Sequence, residues 1–153
     1  MDWLAAMVEA SQLGAFARGS SWAYPVANLI HLLGLVLLVG GIGIVDLRLI
    51  GLFPALSLDP LVRALTPLAI AGLALMALSG PILFAADATA LARSGTFAWK
   101  LGFIGVALAN AAAFRWLWRK ERIGVRLVQR LMAGASIALW LTTAGLGRMI
   151  AYS

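Results

Sequence analysis

An all-α fold, a polytopic four-helix bundle in a membrane preceded by a short interfacial helix, is predicted by three features of this sequence. The chain of 153 residues is 63% hydrophobic and 12% charged, with mean hydropathy +0.97, far from the roughly 45–50% apolar and 25% charged balance of soluble domains. It holds four apolar stretches, each near the ~20 residues needed to cross ~30 Å of hydrocarbon at 1.5 Å per residue. Its cations sit at the ends of those stretches instead of forming one soluble patch.

The N-terminus, "MDWLAAMVEASQLGAFARGSSW", opens acidic and lacks the basic and continuous apolar regions of a signal peptide, so it is expected to be retained. Trp3, Leu4, Met7, Val8 and Phe16 fall mostly at three- and four-residue intervals, which predicts an amphipathic helix over 2–17. That helix either lies at the membrane interface or packs on the bundle. The spans are read as 24–48, 63–86, 98–118 and 127–151, in one domain without repeats.

Pro54 and Asp59-Pro60 favour a turn and helix start before span 2. Pro81 after Gly80 is expected to kink that span. Trp99-Lys100 anchors one end of span 3, and Trp116 and Trp118 with Arg115, Arg119, Lys120 and Arg122 anchor the other. Apolar helices gain little by touching in lipid and associate through small residues and interhelical hydrogen bonds. Gly34, Gly40, Gly41 and Gly43, then Gly72 and Gly80, then Gly102, Gly105, Ala109 and Ala113, and finally Gly134, Ala138, Gly145 and Gly147 give each span such a face. Asn110 and Thr142-Thr143 are candidates for bonds across helices.

Eight cations (Arg48, Arg63, Arg115, Arg119, Lys120, Arg122, Arg126, Arg130) flank the loops between spans 1 and 2 and between spans 3 and 4; four (Arg18, Arg93, Lys100, Arg148) lie on the other side. The bias predicts a cytoplasmic position for both loops and places both termini outside. A net charge of +6 so distributed reads as topology, not nucleic-acid binding. Expected partners are the lipid bilayer and a second copy or a membrane partner protein.

Without cysteine there is no disulfide, thiolate metal site or thiol nucleophile. No phosphate-binding loop, H-E-x-x-H or nucleophile elbow is present, and the carboxylates are scattered, so no catalytic residue is assigned.

The chain's single histidine, His31, lies about seven residues into span 1, roughly 10 Å below the outer boundary. An ionisable group there is expected to face the bundle interior. Either it is a neutral imidazole bonded to a neighbouring helix, or a ligand or metal site, or a proton relay. Asn28, three positions earlier, shares its face. Arg148, with Lys100 and Arg18 on the same side, would make a positively lined pocket for an anion if these groups converge. Haem b or copper is the cofactor such a layout can accommodate in outline, with Met149 as the second donor beside His31. At the other end of span 1, Asp46 and Arg48 are too closely spaced to pair with each other. Asp46 is expected to meet a cation such as Arg115 or Arg130 in a structural latch, and Asp87 to meet Lys100 or Arg148. The functional reading is thus a small-ligand site around His31 in a redox or metal-handling accessory; the alternatives are a structural or assembly subunit and an oligomeric transporter or channel.

"WAYP" (22–25), "HLLG" (31–34), "DLRLIG" (46–51), "SGPILF" (79–84) and "WKL" (99–101) together resemble a family of small bacterial four-helix membrane proteins of unknown function, over most of the chain. The resemblance implies a four-span fold in the bacterial inner membrane and implies no reaction. In architecture the chain is also distantly similar to D-type copper-resistance membrane proteins and small membrane cytochromes. Where the family often carries a second histidine after the span-3 asparagine, this chain reads "NAAAFRWLW" (110–118), a departure that weighs against a two-histidine metal site.

Overall fold

The computed structural model describes residues 2–119, 126–150 and 152. Lys120, Arg122 and residue 151, assigned above to a basic anchor and a span end, lie outside the described residues, as does the side chain of Arg119. The described chain is helical: α1 (Asp2–Ala10), α2 (Gln12–Gly19), α3 (Ala23–Ile50), α4 (Leu58–Ala86), α5 (Ala88–Arg93), α6 (Gly95–Arg119) and α7 (Arg126–Ile150). Three of these, α3, α4 and α6, are long and apolar enough to cross a membrane. The fourth expected span, α7, has the length but is diluted by Gln129 and Arg130 near its start, by Ser136, Thr142 and Thr143, and by Arg148 near its end.

The helix expected over 2–17 is two helices. Ser11 divides them: its hydroxyl bonds to Val8 O at 2.5 Å and accepts from the Gly14 N–H at 3.3 Å, capping α2. The small face of the pair (Ala5, Gly14, Ala17) is buried, whereas Trp3, Leu4, Met7 and Phe16 point outward. Gly14 is required there, because a Cβ would overlap Glu9 O and stand 2.9 Å from Ala85 O. Arg18 donates to Ala85 O and Ala86 O, the last carbonyls of α4, and to Glu9 O near the end of α1. A cation at two helix C-termini satisfies carbonyls that have no helical donor. Arg18 therefore acts as a clamp within the protein rather than as a headgroup anchor. Glu9 accepts from the Thr89 N–H at 2.8 Å in the first turn of α5, and the Thr89 hydroxyl and backbone N–H hold its carboxyl below the ordinary 4.5.

α3 ends in a left-handed Gly51 (φ 119°), with Leu52 N–H returning to Leu47 O at 3.0 Å. Arg48 then holds the following loop, donating to Leu56 O at 2.6 Å and Pro54 O at 3.4 Å. α4 begins at Leu58, so Asp59-Pro60 falls in its first turn, and it runs as one helix through Pro67 and Pro81.

The long helices contact one another in the succession α4, α3, α7, α6. Gly34 of α3 and Gly72 of α4 mark the closest crossing: a Cβ on Gly72 would lie 2.5 Å from Gly34 O, and one on Gly34 would lie 2.7 Å from Gly72 O. Gly41 adds a second contact, against Leu65 O and Ala69. By contrast, Gly40, Gly43, Gly102, Gly105, Gly134 and Gly145 face open space, so the small-residue faces expected on every span are in use mainly between α3 and α4. Asn110 of α6 donates to Met132 O of α7 at 3.1 Å, whereas Thr143 bonds within its own helix to Leu139 O. Leu38, Ala69, Ala107 and Trp140 form the core. Between α4 and α6 no close backbone approach occurs among the described residues; there Phe84 stacks on Phe97 with centroids 5.5 Å apart.

Candidate functional site

His31 on α3 meets Ser79 on α4, with Nδ1 2.9 Å from Oγ. Ser79 is buried, and its hydroxyl proton is committed to Leu75 O, one turn back in its own helix, at 2.7 Å. A hydroxyl has one proton to give, so Ser79 accepts from His31 Nδ1–H. That fixes the neutral tautomer and leaves the Nε2 lone pair free to accept a hydrogen bond. Gly80 follows Ser79 and lines the ring without crowding it, a Cβ there lying 3.7 Å from His31 Cε1.

Lys100, in the second turn of α6, is the charged neighbour of this imidazole. Its Nζ lies over Gly147 of α7, 3.3 Å from where a Cβ would stand, so the glycine makes room for the ammonium. Lys100 is half-buried, and among the described residues no carboxylate pairs with it. α3 and α4 thus join through the His31–Ser79 bond, and Lys100 of α6, lying over Gly147 of α7, is near enough for its charge to act on the imidazole.

The other residues assigned to this site stand apart from it. Asn28 is exposed on α3. The Arg148 guanidinium is exposed, bonded to the Tyr152 hydroxyl and 4.8 Å above that ring's centroid. Met149 is 60% exposed. Asp87 is exposed at the corner between α4 and α5, where its carboxylate caps neither helix. Arg18 is committed to the α4 carbonyls.

Haem b and copper are poorly served by this donor set. His31 offers one nitrogen, Met149 points elsewhere, and among the described residues no three His, Asp or Glu side chains are grouped for a metal. The adjacent ammonium opposes a bound cation and favours an anion.

At the opposite end of α3, Asp46 is 5% exposed and takes a hydrogen bond from Ser136 of α7. Among the described residues the expected cation latch is not formed: Arg130 reaches Gly51 instead, and Asp46 Oδ2 has no hydrogen-bond partner. A serine replaces the cation because α7 lies along α3 with the small Ser136 facing inward, while Arg130 falls at the helix end. Asp46 also lines a groove of about 340 Å³ between α3 and α7.

Ser79, Gly147 and Ser136 were not singled out for these roles from sequence. Ser79 had one signal, its place beside Gly80-Pro81 in a span otherwise nearly free of polar residues. Comparison of the chain with protein-family models, with curated proteins and with solved structures finds no match.

Proposed function

We propose that the protein crosses a membrane with α3, α4, α6 and α7, and that the His31–Ser79–Lys100 cluster binds a small oxyanion that also carries a hydroxyl. Hydrogen phosphate and hydroxycarboxylates have this chemistry: the charged oxygen meets Lys100 while the O–H donates to His31 Nε2. The observation that carries the reading is a half-buried ammonium without an acidic partner beside an imidazole whose free nitrogen accepts. Desolvating a cation with no counter-charge is costly, and a bound anion offsets that cost. The role is that of a binding accessory: the Ser79 hydroxyl gives its proton to Leu75 O and not to His31, so the pair is not arranged as a nucleophile with its base.

The membrane setting rests on which residues are covered. The buried positions are mostly Ala, Gly, Ser and Thr, whereas Leu29, Leu32, Leu33, Val36, Ile70, Leu78, Leu101, Val106 and Leu131 point outward. Water would penalise such a surface and lipid does not. The cation bias and the resemblance of the "HLLG" and "DLRLIG" segments support a bacterial inner membrane with both termini outside.

A second reading, that His31 only fixes helix packing, is favoured by its bond to Ser79. Calorimetric titration of the detergent-purified protein with inorganic phosphate and with lactate separates the two. Saturable binding of either that is lost in Lys100→Met and in His31→Phe is the expected result. Absence of heat with both anions leaves packing as the histidine's role. A visible spectrum and metal analysis accompany the titration, and colourless, metal-free protein from iron- and copper-replete cells is expected.

A further inference from the structure

Among the described residues Asp46 is the only ionisable side chain that is buried, and no cation is turned toward it. Arg48 of its own helix is spent on the carbonyls of Leu56 and Pro54, and Arg130 of α7 reaches Gly51. Arg63 of α4, Arg115 of α6 and Arg126 of α7 are exposed, as is the carboxylate of Asp59 on α4. As an ion, Asp46 would spread its charge over two oxygens with a single donor, Ser136, between them, since Oδ2 is shut off and has none. Burying a charge so poorly served is costly enough that such a group takes up a proton instead.

A carboxylic acid fits the same atoms better. Its O–H donates to Ser136 Oγ, and Oδ2 is left as a neutral carbonyl oxygen, which is far cheaper to leave unpaired than part of a charge. Ser136 then sends its own proton back along α7. The other buried hydroxyls do the same: Ser79 gives its proton to Leu75 O and Thr143 to Leu139 O, each one turn back in its own helix.

We propose that Asp46 is a proton-binding site, held as the neutral acid, whose O–H bond to Ser136 joins α3 to α7. The proton is thereby a ligand of the contact between these two helices. When it leaves to water, the charge behind it has one donor and no counter-ion, so the contact has to open or admit water. The site stands roughly 22 Å along α3 from His31 and does not depend on the anion-binding reading.

Infrared spectroscopy of the full-length protein in detergent at neutral pH, with carbon-13 in the aspartate side-chain carboxyls, tests this. An aspartate in water, with a pKa of about 3.9, is ionised there and lacks the carbonyl band of a carboxylic acid. The expected spectrum holds one such band that moves with the label and is lost in Asp46→Asn. Ser136→Ala keeps the acid but removes its acceptor, so the band shifts to higher frequency without vanishing, which assigns it independently of the first variant. Absence of a label-sensitive band, its survival in Asp46→Asn, or its indifference to Ser136→Ala overturns the proposal. Raising the pH until the band disappears is expected to lower amide protection around Asp46 and Ser136 in wild type but not in Asp46→Asn. Protection that falls alike in both, or in neither, overturns the proton's part in the helix contact.

Discussion

At His31 the decisive chemistry lies in Ser79. Because the serine proton goes to Leu75 O, the hydroxyl can only accept from the imidazole, which fixes both the tautomer and the direction in which Nε2 presents its lone pair. Ser79→Ala therefore removes the ring's positioning contact and leaves Nδ1–H without its partner inside the helix layer. A stability loss of roughly 0.5–2 kcal/mol is expected, measured by thermal unfolding in detergent, together with weaker phosphate binding. That a lone imidazole in an apolar helix turns toward a neighbouring helix was legible from burial cost alone. Its partners were not: Asn28 was named from its spacing of three and Arg148 from its place on the same side of the spans, yet both are exposed. A rotation of some tens of degrees about a helix axis decides between lining a site and facing lipid, and sequence does not specify that rotation when a span is apolar on all sides.

At the scale of elements, glycines separate into those under contact and those in the open. Gly72→Ala drives a methyl group onto Gly34 O, backbone against backbone, which cannot yield as a side chain would. A loss of about 1–3 kcal/mol or more is expected in the same unfolding measurement. Gly102→Ala meets nothing and is expected to be neutral or to stabilise by up to about 1 kcal/mol. α3, α6 and α7 begin and end within three residues of the stretches read from hydropathy, whereas α4 starts five residues earlier, at Leu58, because Asp59-Pro60 falls in its first turn. The division of the N-terminal helix was missed because an apolar stripe continues across Ser11 while the cap is a single side chain.

The α1–α2 pair is held to α4 and α5 by Arg18 and Glu9, and Glu9 gives this contact a pH dependence. Its carboxyl is held below the ordinary 4.5, so the contribution is complete above that value and is lost as pH falls through the lower folded value. Weaker amide protection in α1 and α2 as pH falls below the ordinary 4.5, without a matching change in α3, is the expected signature. Glu9→Gln removes the pH dependence; equal exchange in wild type and variant across that range would count against the contact.

For the molecule as a whole, helices pack through small residues and turn their large apolar side chains outward, an arrangement compatible with an apolar solvent. That inversion was implicit in the composition. The order α4, α3, α7, α6 was not, because uniformly apolar helices carry no face that dictates which neighbour each one chooses. The natural absence of cysteine makes topology directly measurable: a single cysteine in place of Ser57 and one in place of Ser94 should label from opposite sides of the membrane, Ser57 from the cytoplasm. Labelling of both from one side would remove the four-span arrangement.

The central claim is that His31 and Lys100 together form a site for an oxyanion. Because the chain has one histidine, a nitrogen-15 spectrum of imidazole-labelled protein reports that ring without assignment. The account predicts a ring protonated at Nδ1 in the free protein and ring resonances that move saturably as inorganic phosphate is added, with no movement in Lys100→Met. A ring that ignores phosphate, or that responds identically without the lysine, would contradict it.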